Sequence, residues 1–274
     1  MTSPSDAAVP FAFVALPAGR SLTKPRTSGL TMMMDWGLPI GQQRDWLELQ
    51  SKYVDLAKFV VGTSRLYDTD YLMRKIALYK EHEVQPFIGG QFLEYVYAHQ
   101  GMSGSEKFFA EAARLGFEAI EVSDNYVTLQ SDTRRQLVQG ATAQGLEVHG
   151  EVGSKTVESD GALLISQAAE FFEAGANVVL VEGAELLIDG EPNRALLAEL
   201  RAGLETTKII FELSGTWIEN TTQSEVYHLK KFLISEFGAN VNLANVMPQD
   251  IWETEAMRAG LSTIGPQLSE QPAD

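Results

Sequence analysis

Short apolar runs and amphipathic stretches alternate along the chain at nearly regular spacing, with no long Pro/Ser/Gly-rich linker between them. The run 30–35 opens after Gly29 and closes at Asp35, the pattern of a parallel strand buried on both faces. Similar runs recur at 54–61, 84–88, 117–122, 146–152, 177–182, 208–212 and 239–243. Helical patterning fills the gaps. It covers 42–52, where Trp46, Leu49 and Tyr53 fall at spacings of three and four, and continues from an Asp68 or Asp70 cap to about 82. Further helical stretches follow at 90–97, 108–115, 130–144, 161–173, from Pro192 to about 204, 219–237 and 249–259. Gly116, Gly145, Gly175 and Gly238 stand where helices stop, because glycine tolerates the left-handed conformation of that position. Eight strands with eight helix-bearing connections predict one closed (β/α)8 TIM barrel over residues 23–262. Residues 1–22 are expected to form a flexible or docking arm, and 263–274 a frayed tail. An open doubly wound sheet is the alternative, but it commonly uses fewer strands.

Five of the apolar runs end in, or lead into, a glutamate: Glu94, Glu121, Glu151, Glu182 and Glu212. A buried apolar strand has no packing reason to end in an acid. One such residue could simply open a solvated loop, but four or five in register suggest a shared polar centre at one end of the barrel. In this fold the loops after the strands carry function and those before them carry stability. Asp35, the Gly62-Thr63-Ser64 turn, Gly89-Gly90, Ser123-Asp124, Ser154-Lys155 and Asn242–Asn245 are therefore expected on the functional face. Lys58 interrupts the second run and is expected to point inward among the acids. His149, two residues before Glu151, is expected to face the same interior.

Composition narrows the chemistry. The 274 residues are 45% hydrophobic, enough for a large core. A formal charge of −16, from 21 basic and 37 acidic side chains, disfavours nucleic acid and anionic membranes as partners. It leaves room for a small anionic substrate, because local cations or a metal can reverse the field in a cleft. The absence of cysteine excludes disulfides and thiolate chemistry. Abundant carboxylates with only four histidines suit a hard cation such as Mg²⁺ over zinc. No apolar run approaches the ~20 residues that span a bilayer. The apolar stretch 7–16 lacks a basic leader and is broken by Pro10. A soluble cytoplasmic protein is expected. No Walker loop, dinucleotide fingerprint or nucleophile elbow is present.

Several motifs resemble those of the phosphosulfolactate synthase family. They are Gly29-Leu30-Thr31-Met32-Met33-Met34-Asp35-Trp36-Gly37-Leu38-Pro39, Lys58-Phe59-Val60-Val61-Gly62-Thr63-Ser64, Gly89-Gly90-Gln91-Phe92-Leu93-Glu94-Tyr95 and Gly116–Asp124. Glu151-Val152-Gly153-Ser154-Lys155, Ile210-Phe211-Glu212 and Val241-Asn242-Leu243-Ala244-Asn245 continue the likeness, in order, over about 20–262. The resemblance implies a Mg²⁺-dependent lyase or synthase on the route to coenzyme M, a homo-oligomer, that adds sulfite to phosphoenolpyruvate through an enediolate. It implies Lys155 as general acid, with Lys58, Asp35 and Glu94 also catalytic. Arg26, Ser64, Ser123, Asn242, Asn245 and Trp36 are then expected to hold substrate, and Glu121, Glu151, Glu182 and Glu212 to hold the metal.

The chain departs from the family pattern where cations are usual: Trp36, Ser154 and Ala184 replace two lysines and an arginine. Leu213-Ser214 also replaces an Ala-Pro pair after Glu212. Either other cations such as Arg65 or Arg194 substitute, or the substrate carries less negative charge. Trp36 fits a more apolar or planar substrate portion. Besides sulfite addition, the sequence admits a related addition or elimination on a less anionic carboxylate in secondary metabolism, or a non-catalytic stress or interaction protein on the same barrel.

Overall fold

The computed structural model describes residues 10–14, 20, 22–154, 160–215, 217–218 and 221–262. Eight parallel strands close into a barrel in the order β1-β8-β7-β6-β5-β4-β3-β2. They are β1 (Thr31–Asp35), β2 (Leu56–Phe59), β3 (Gln85–Ile88), β4 (Ala119–Val122), β5 (Glu147–Val152), β6 (Val178–Val181), β7 (Ile209–Glu212) and β8 (Leu243–Val246). The helices α1 (Ile40–Gln50), α2 (Thr69–Glu81), α3 (Gly90–Leu115), α4 (Ser131–Ala143), α5 (Gly161–Ala174), α6 (Arg194–Gly203), α7 (Gln223–Phe237) and α8 (Ile251–Arg258) follow the strands in turn. A small hairpin, Leu187–Ile188 with Glu191–Pro192, precedes α6. No helix among the described residues is long and apolar enough to cross a membrane.

Each strand feeds two cores because its side chains alternate between faces. Leu30, Met32, Leu56, Phe87, Ala119, Leu180, Ile210 and Ala244 fill the barrel interior. The opposite set, including Met33, Phe59, Ile120, Val179 and Phe211, packs under the helices. Phe59 is fully buried and meets Tyr67, Tyr79 and Phe117 edge-on, at centroid distances of 6.5, 5.9 and 5.1 Å. Burial of such a ring contributes about 1.5–3 kcal/mol.

Three elements differ from the sequence expectation. The stretches 90–97 and 108–115 belong to one helix, α3, kinked at Gly101, whose φ of 62° only glycine adopts readily. The eighth strand lies at Leu243–Val246, a few residues later than the run 239–243 suggests. Helix α7 starts at a capping box formed by Thr222 and Glu225, later than the expected 219.

Candidate active site

The interior parity of Leu56, Ala119, Leu180 and Ile210 carries Lys58, Glu121, Glu182 and Glu212 one layer higher, toward the C-terminal ends of the strands. Glu151 joins them from β5, with His149 one layer below. Lys58 Nζ lies 2.8 Å from Glu121 Oε2 and 3.1 Å from Glu212 Oε1, and all three side chains are buried. One oxygen each from Glu121, Glu151 and Glu212 falls within 4.8 Å of the others. The inward lysine expected from sequence is therefore present, and it has acids around it.

Charge sets the protonation of this cluster. Burial alone would lower the pKa of Lys58, but Glu121, Glu212 and Glu151 outweigh it and hold the ammonium above the ordinary lysine range. Burial lifts Glu121 well above the usual carboxylate range against the pull of Lys58, and Glu151 and Glu212 add to the rise. With one ammonium among three buried carboxylates, the acids repel one another and oppose full ionisation of the cluster.

The backbone is cut to fit these side chains. Gly90 N–H, at the start of α3, donates to Glu121 Oε1 at 2.8 Å. A Cβ on Gly90 would come within 2.1 Å of Ser123 Oγ, and one on Gly89 within 2.9 Å of Lys58 Cε. Asn125 Nδ2 donates to Glu151 Oε1 at 2.7 Å. Gly183 brings the chain after β6 against the end of β7, where a Cβ would lie 2.6 Å from Ser214 N and 2.7 Å from Glu212 O.

A cavity of ≈ 510 Å³ opens above the cluster. Trp36 and Trp217 form its rim with Tyr126, their indole centroids 6.2 Å apart at 51°. Asn245 lines it from a bulge in β8, where pairings of Thr31 with Leu243 and Met33 with Val246 set unequal lengths of β1 and β8 against each other. The bulge gives Asn245 a φ of 59°. Among the described residues, Lys58 is the one basic side chain lining the cavity.

The structure distributes the remaining expected residues widely. Asp35 ends β1 on the outward parity and is fully buried under α2. Lys75 Nζ and Tyr79 Oη lie 2.8 Å from its Oδ2, and the Gly37 and Leu38 N–H groups donate to Oδ1. Burial, with Asp35 adding to it, pushes the Tyr79 hydroxyl well above its usual range. Glu94 braces the loop after β4, accepting from Ser123 Oγ and Tyr126 N at 2.5 Å and from Val127 N at 3.1 Å. Glu182 accepts from Ala184 N–H at 3.1 Å and lies outside the close carboxylate trio. Ser64 lines a groove between α2 and α3, outside the barrel.

Arg26 and Asn242 are at the opposite mouth, so the structure corrects their expected placement. Asp55 precedes β2 and pairs with Arg26 at 2.7 Å, while Arg26 Nη1 donates to Lys52 O. Asn242 precedes β8, accepts from Leu30 N–H at 2.9 Å and donates to Thr207 O and Ile209 O at 3.0 and 2.9 Å. Arg65 and Arg194 do not line the cavity either; Arg194 stacks on Phe232 and Arg65 borders the outer groove. Lys155 lies outside the described residues, as do the greater part of the expected arm and all of the tail. Sequence reasoning missed Asn125, Tyr126 and Trp217. Asn125 and Tyr126 follow directly on Ser123-Asp124, where the barrel rule alone would have placed them.

Comparison with known proteins decides the lineage. The family model for (2R)-phospho-3-sulfolactate synthase (ComA) matches residues 19–263. The chain belongs to the phosphosulfolactate synthase family. The phosphosulfolactate synthase of Methanocaldococcus jannaschii is 32% identical over 244 residues, covering 85% of this chain and 92% of that protein. That of Methanothermobacter thermautotrophicus is 31% identical over 255 residues, covering 88% and 93%. The carboxyl transferase domain of Rhizobium etli pyruvate carboxylase shares the fold alone. Its TM-score is 0.52 at 13% identity, covering 83% of this chain and 41% of that one.

Family membership makes the chain an enzyme of the phosphosulfolactate synthase type, with lyase or synthase chemistry. The buried trio Glu121, Glu151 and Glu212 could hold a metal ion. Its donor set fits a hard divalent cation, since every ligand is a carboxylate oxygen and the carboxylates outnumber the ammonium of Lys58.

Proposed function

We propose that the protein adds sulfite to phosphoenolpyruvate, forming a carbon–sulfur bond at the methylene carbon. The observation that carries this reading is the family match over residues 19–263 together with Lys58 held among Glu121, Glu151 and Glu212 at the functional end of the barrel.

As the sulfur lone pair attacks the methylene carbon, the alkene electrons move toward the substrate carboxylate, which takes on enediolate character. Lys58, kept as an ammonium by its neighbours, is placed to bind that developing charge. Glu121, Glu151 and Glu212 would hold Mg²⁺, which supplies Lewis-acid stabilisation of the same charge. Lys155 then delivers a proton to the carbon bearing the phosphate, completing the addition. Ser154, which precedes Lys155 in the sequence, donates its N–H to Glu185 Oε1 at 2.8 Å just after β5. Asn245 and Trp36 line the substrate cavity, Ser123 and Glu94 hold its wall, and Glu182 shapes the turn after β6. The protein is expected to work in the cytoplasm as a homo-oligomer.

Phosphorus NMR of the protein with phosphoenolpyruvate, sulfite and Mg²⁺ tests the reading. A new phosphate ester resonance that requires all three is expected. No conversion by folded protein would sink it. A second reading, the same addition on a less anionic carboxylate acceptor, is favoured by one observation: Lys58 alone among the described lining residues is basic.

A further inference from the structure

The loop between β4 and α4 is clamped from two sides. Glu94, buried on α3, accepts hydrogen bonds from Ser123 Oγ, Tyr126 N–H and Val127 N–H. Arg134, buried on α4, donates from Nη2 to Asp124 Oδ2 and from Nη1 to Glu170 Oε2, both at 2.8 Å. Its guanidinium also lies 5.3 Å from the centre of the Phe171 ring. Ser123, Asp124, Tyr126 and Val127 are thus each fixed by a group outside the loop. Between them, Asn125 turns to the acid trio and donates from Nδ2 to Glu151 Oε1 at 2.7 Å. The loop has four anchors without that contact, so holding its shape does not explain an amide aimed at a carboxylate.

Each acid of the trio is met by a donor from a different segment. Gly90 N–H donates to Glu121 Oε1, Lys58 Nζ to Glu212 Oε1 and Asn125 Nδ2 to Glu151 Oε1. The amide and the backbone N–H are neutral, so they orient a carboxylate without cancelling its charge. A second ammonium in place of Asn125 would bring the cluster to two cations against three acids and leave less charge for a metal ion. Glu94 stands four residues after Gly90 on α3. The start of that helix therefore sets Glu121 directly and Glu151 through the clamped loop.

We propose that Asn125 is a positioning residue for Glu151, and that Glu94 acts through it. The clamped loop holds the Glu151 carboxylate in an orientation that lets the trio close on a small divalent cation. This deepens the proposed function and rests on its reading of Glu121, Glu151 and Glu212 as a Mg²⁺ site. Mg²⁺ demands near-octahedral geometry at short range, whereas Ca²⁺ accepts longer and less regular ligand arrangements. Carboxylates held in fixed orientations favour the smaller ion. Freeing Glu151 should therefore cost Mg²⁺ more than Ca²⁺.

Calorimetric titration of the metal-free full chain with Mg²⁺ and, separately, with Ca²⁺ provides the test. Asn125→Ala is expected to weaken Mg²⁺ binding about 10–100-fold, the usual effect of losing a partner that orients a metal ligand. Its Ca²⁺ binding should weaken less. Glu94→Ala should reproduce this pattern although Glu94 lies outside the trio. Glu94→Gln should recover most of the affinity, because its amide oxygen still accepts from the Tyr126 and Val127 N–H groups. In the double variant the two losses should not add, since both act through one contact. Thermal melting checks that each variant is folded, and Asn125→Ala decides the question if Glu94→Ala does not fold. Native Mg²⁺ affinity in Asn125→Ala, equal losses for the two ions, or fully additive losses in the double variant would overturn the proposal. The two ideas fail differently. A native protein that binds neither ion defeats the metal reading and this inference with it. Native Mg²⁺ binding that Asn125→Ala leaves untouched keeps the metal reading and defeats the inference alone.

Discussion

Lys58 Nζ and Glu121 Oε2 sit 2.8 Å apart inside the barrel, although β3 separates their strands. The contact exists because both residues lie on the inward parity of short parallel strands and Gly89 leaves space for the lysine stem. Glu212 reaches the same ammonium at 3.1 Å from β7. Lys58 is therefore the resident counter-charge of the acid cluster as well as a group facing the cavity.

Removing that counter-charge should expose the cluster's dependence on cations. Lys58→Met leaves buried carboxylates uncompensated, a change that typically costs about 3–5 kcal/mol. Urea unfolding should show this loss in metal-free buffer, and Mg²⁺ should recover more stability in the variant than in the native protein. Equal Mg²⁺ effects in the two would mean that the trio does not bind the ion. Turnover should fall in the variant under either condition.

Lys155→Ala should separate chemistry from folding. A positioned general acid contributes about 10²–10⁴-fold to rate. A fall of that size in kcat, with an unchanged melting temperature, is the expected result. Activity within a few-fold of native would assign the proton donor to another group.

The barrel and its acid ring were readable because period-2 alternation and strand-ending acids are both local features. Lys58, Glu121, Glu151 and Glu212 meet as their parity requires. Asp35 obeys the same parity rule on the outer face. Met32 and Met34 hold the inward positions of β1, which leaves Asp35 facing α2 and Lys75. Arg26 was assigned from resemblance, and its partner Asp55 lies before β2, at the stability end of the barrel. That pairing joins residues on separate segments, and no short-range pattern encodes it. The expected stretches 90–97 and 108–115 lie on either side of Gly101, where the chain kinks although α3 continues through it. Trp217 depends on loop geometry after β7, which periodicity does not describe.

His149 gives the acid side of the stability profile a definite slope. Burial, with a smaller contribution from Lys58, lowers its pKa from 6.5 to about 3. Its Nε2 lies 3.1 Å from Gln85 Oε1, and its ring meets Phe87. The folded protein thus keeps His149 neutral while the unfolded chain takes up a proton below pH 6.5. The stabilising contribution is intact above pH 6.5 and shrinks as pH falls toward 3, by at most about 1.4 kcal/mol per pH unit. Urea midpoints measured from pH 7 to 4 should fall less steeply for His149→Gln. Parallel pH profiles for the two proteins would show that this imidazole is not held neutral.

Asn242 and Asn245 lie three residues apart, and their alanine variants should fail in different ways. Reading 239–243 as the eighth strand sets both side chains at its C-terminal end, hence at the same mouth. In the folded barrel, Asn242 lies before β8 and ties Leu30 N–H to the carbonyls of Thr207 and Ile209. Asn242→Ala strands those buried backbone groups, each worth about 1–3 kcal/mol when unsatisfied. The expected loss is in unfolding free energy, with KM unchanged where the protein remains folded. Asn245 lines the cavity from the bulge, with Nδ2 donating to Leu213 O at 3.3 Å. Asn245→Ala also forfeits the tolerance of asparagine for a φ of 59°, so some destabilisation accompanies it. Asn245→Gly relaxes the backbone without restoring the amide. KM should therefore rise in both Asn245 variants, while the glycine variant recovers part of the lost stability. A normal KM in Asn245→Gly would remove this side chain from the substrate site.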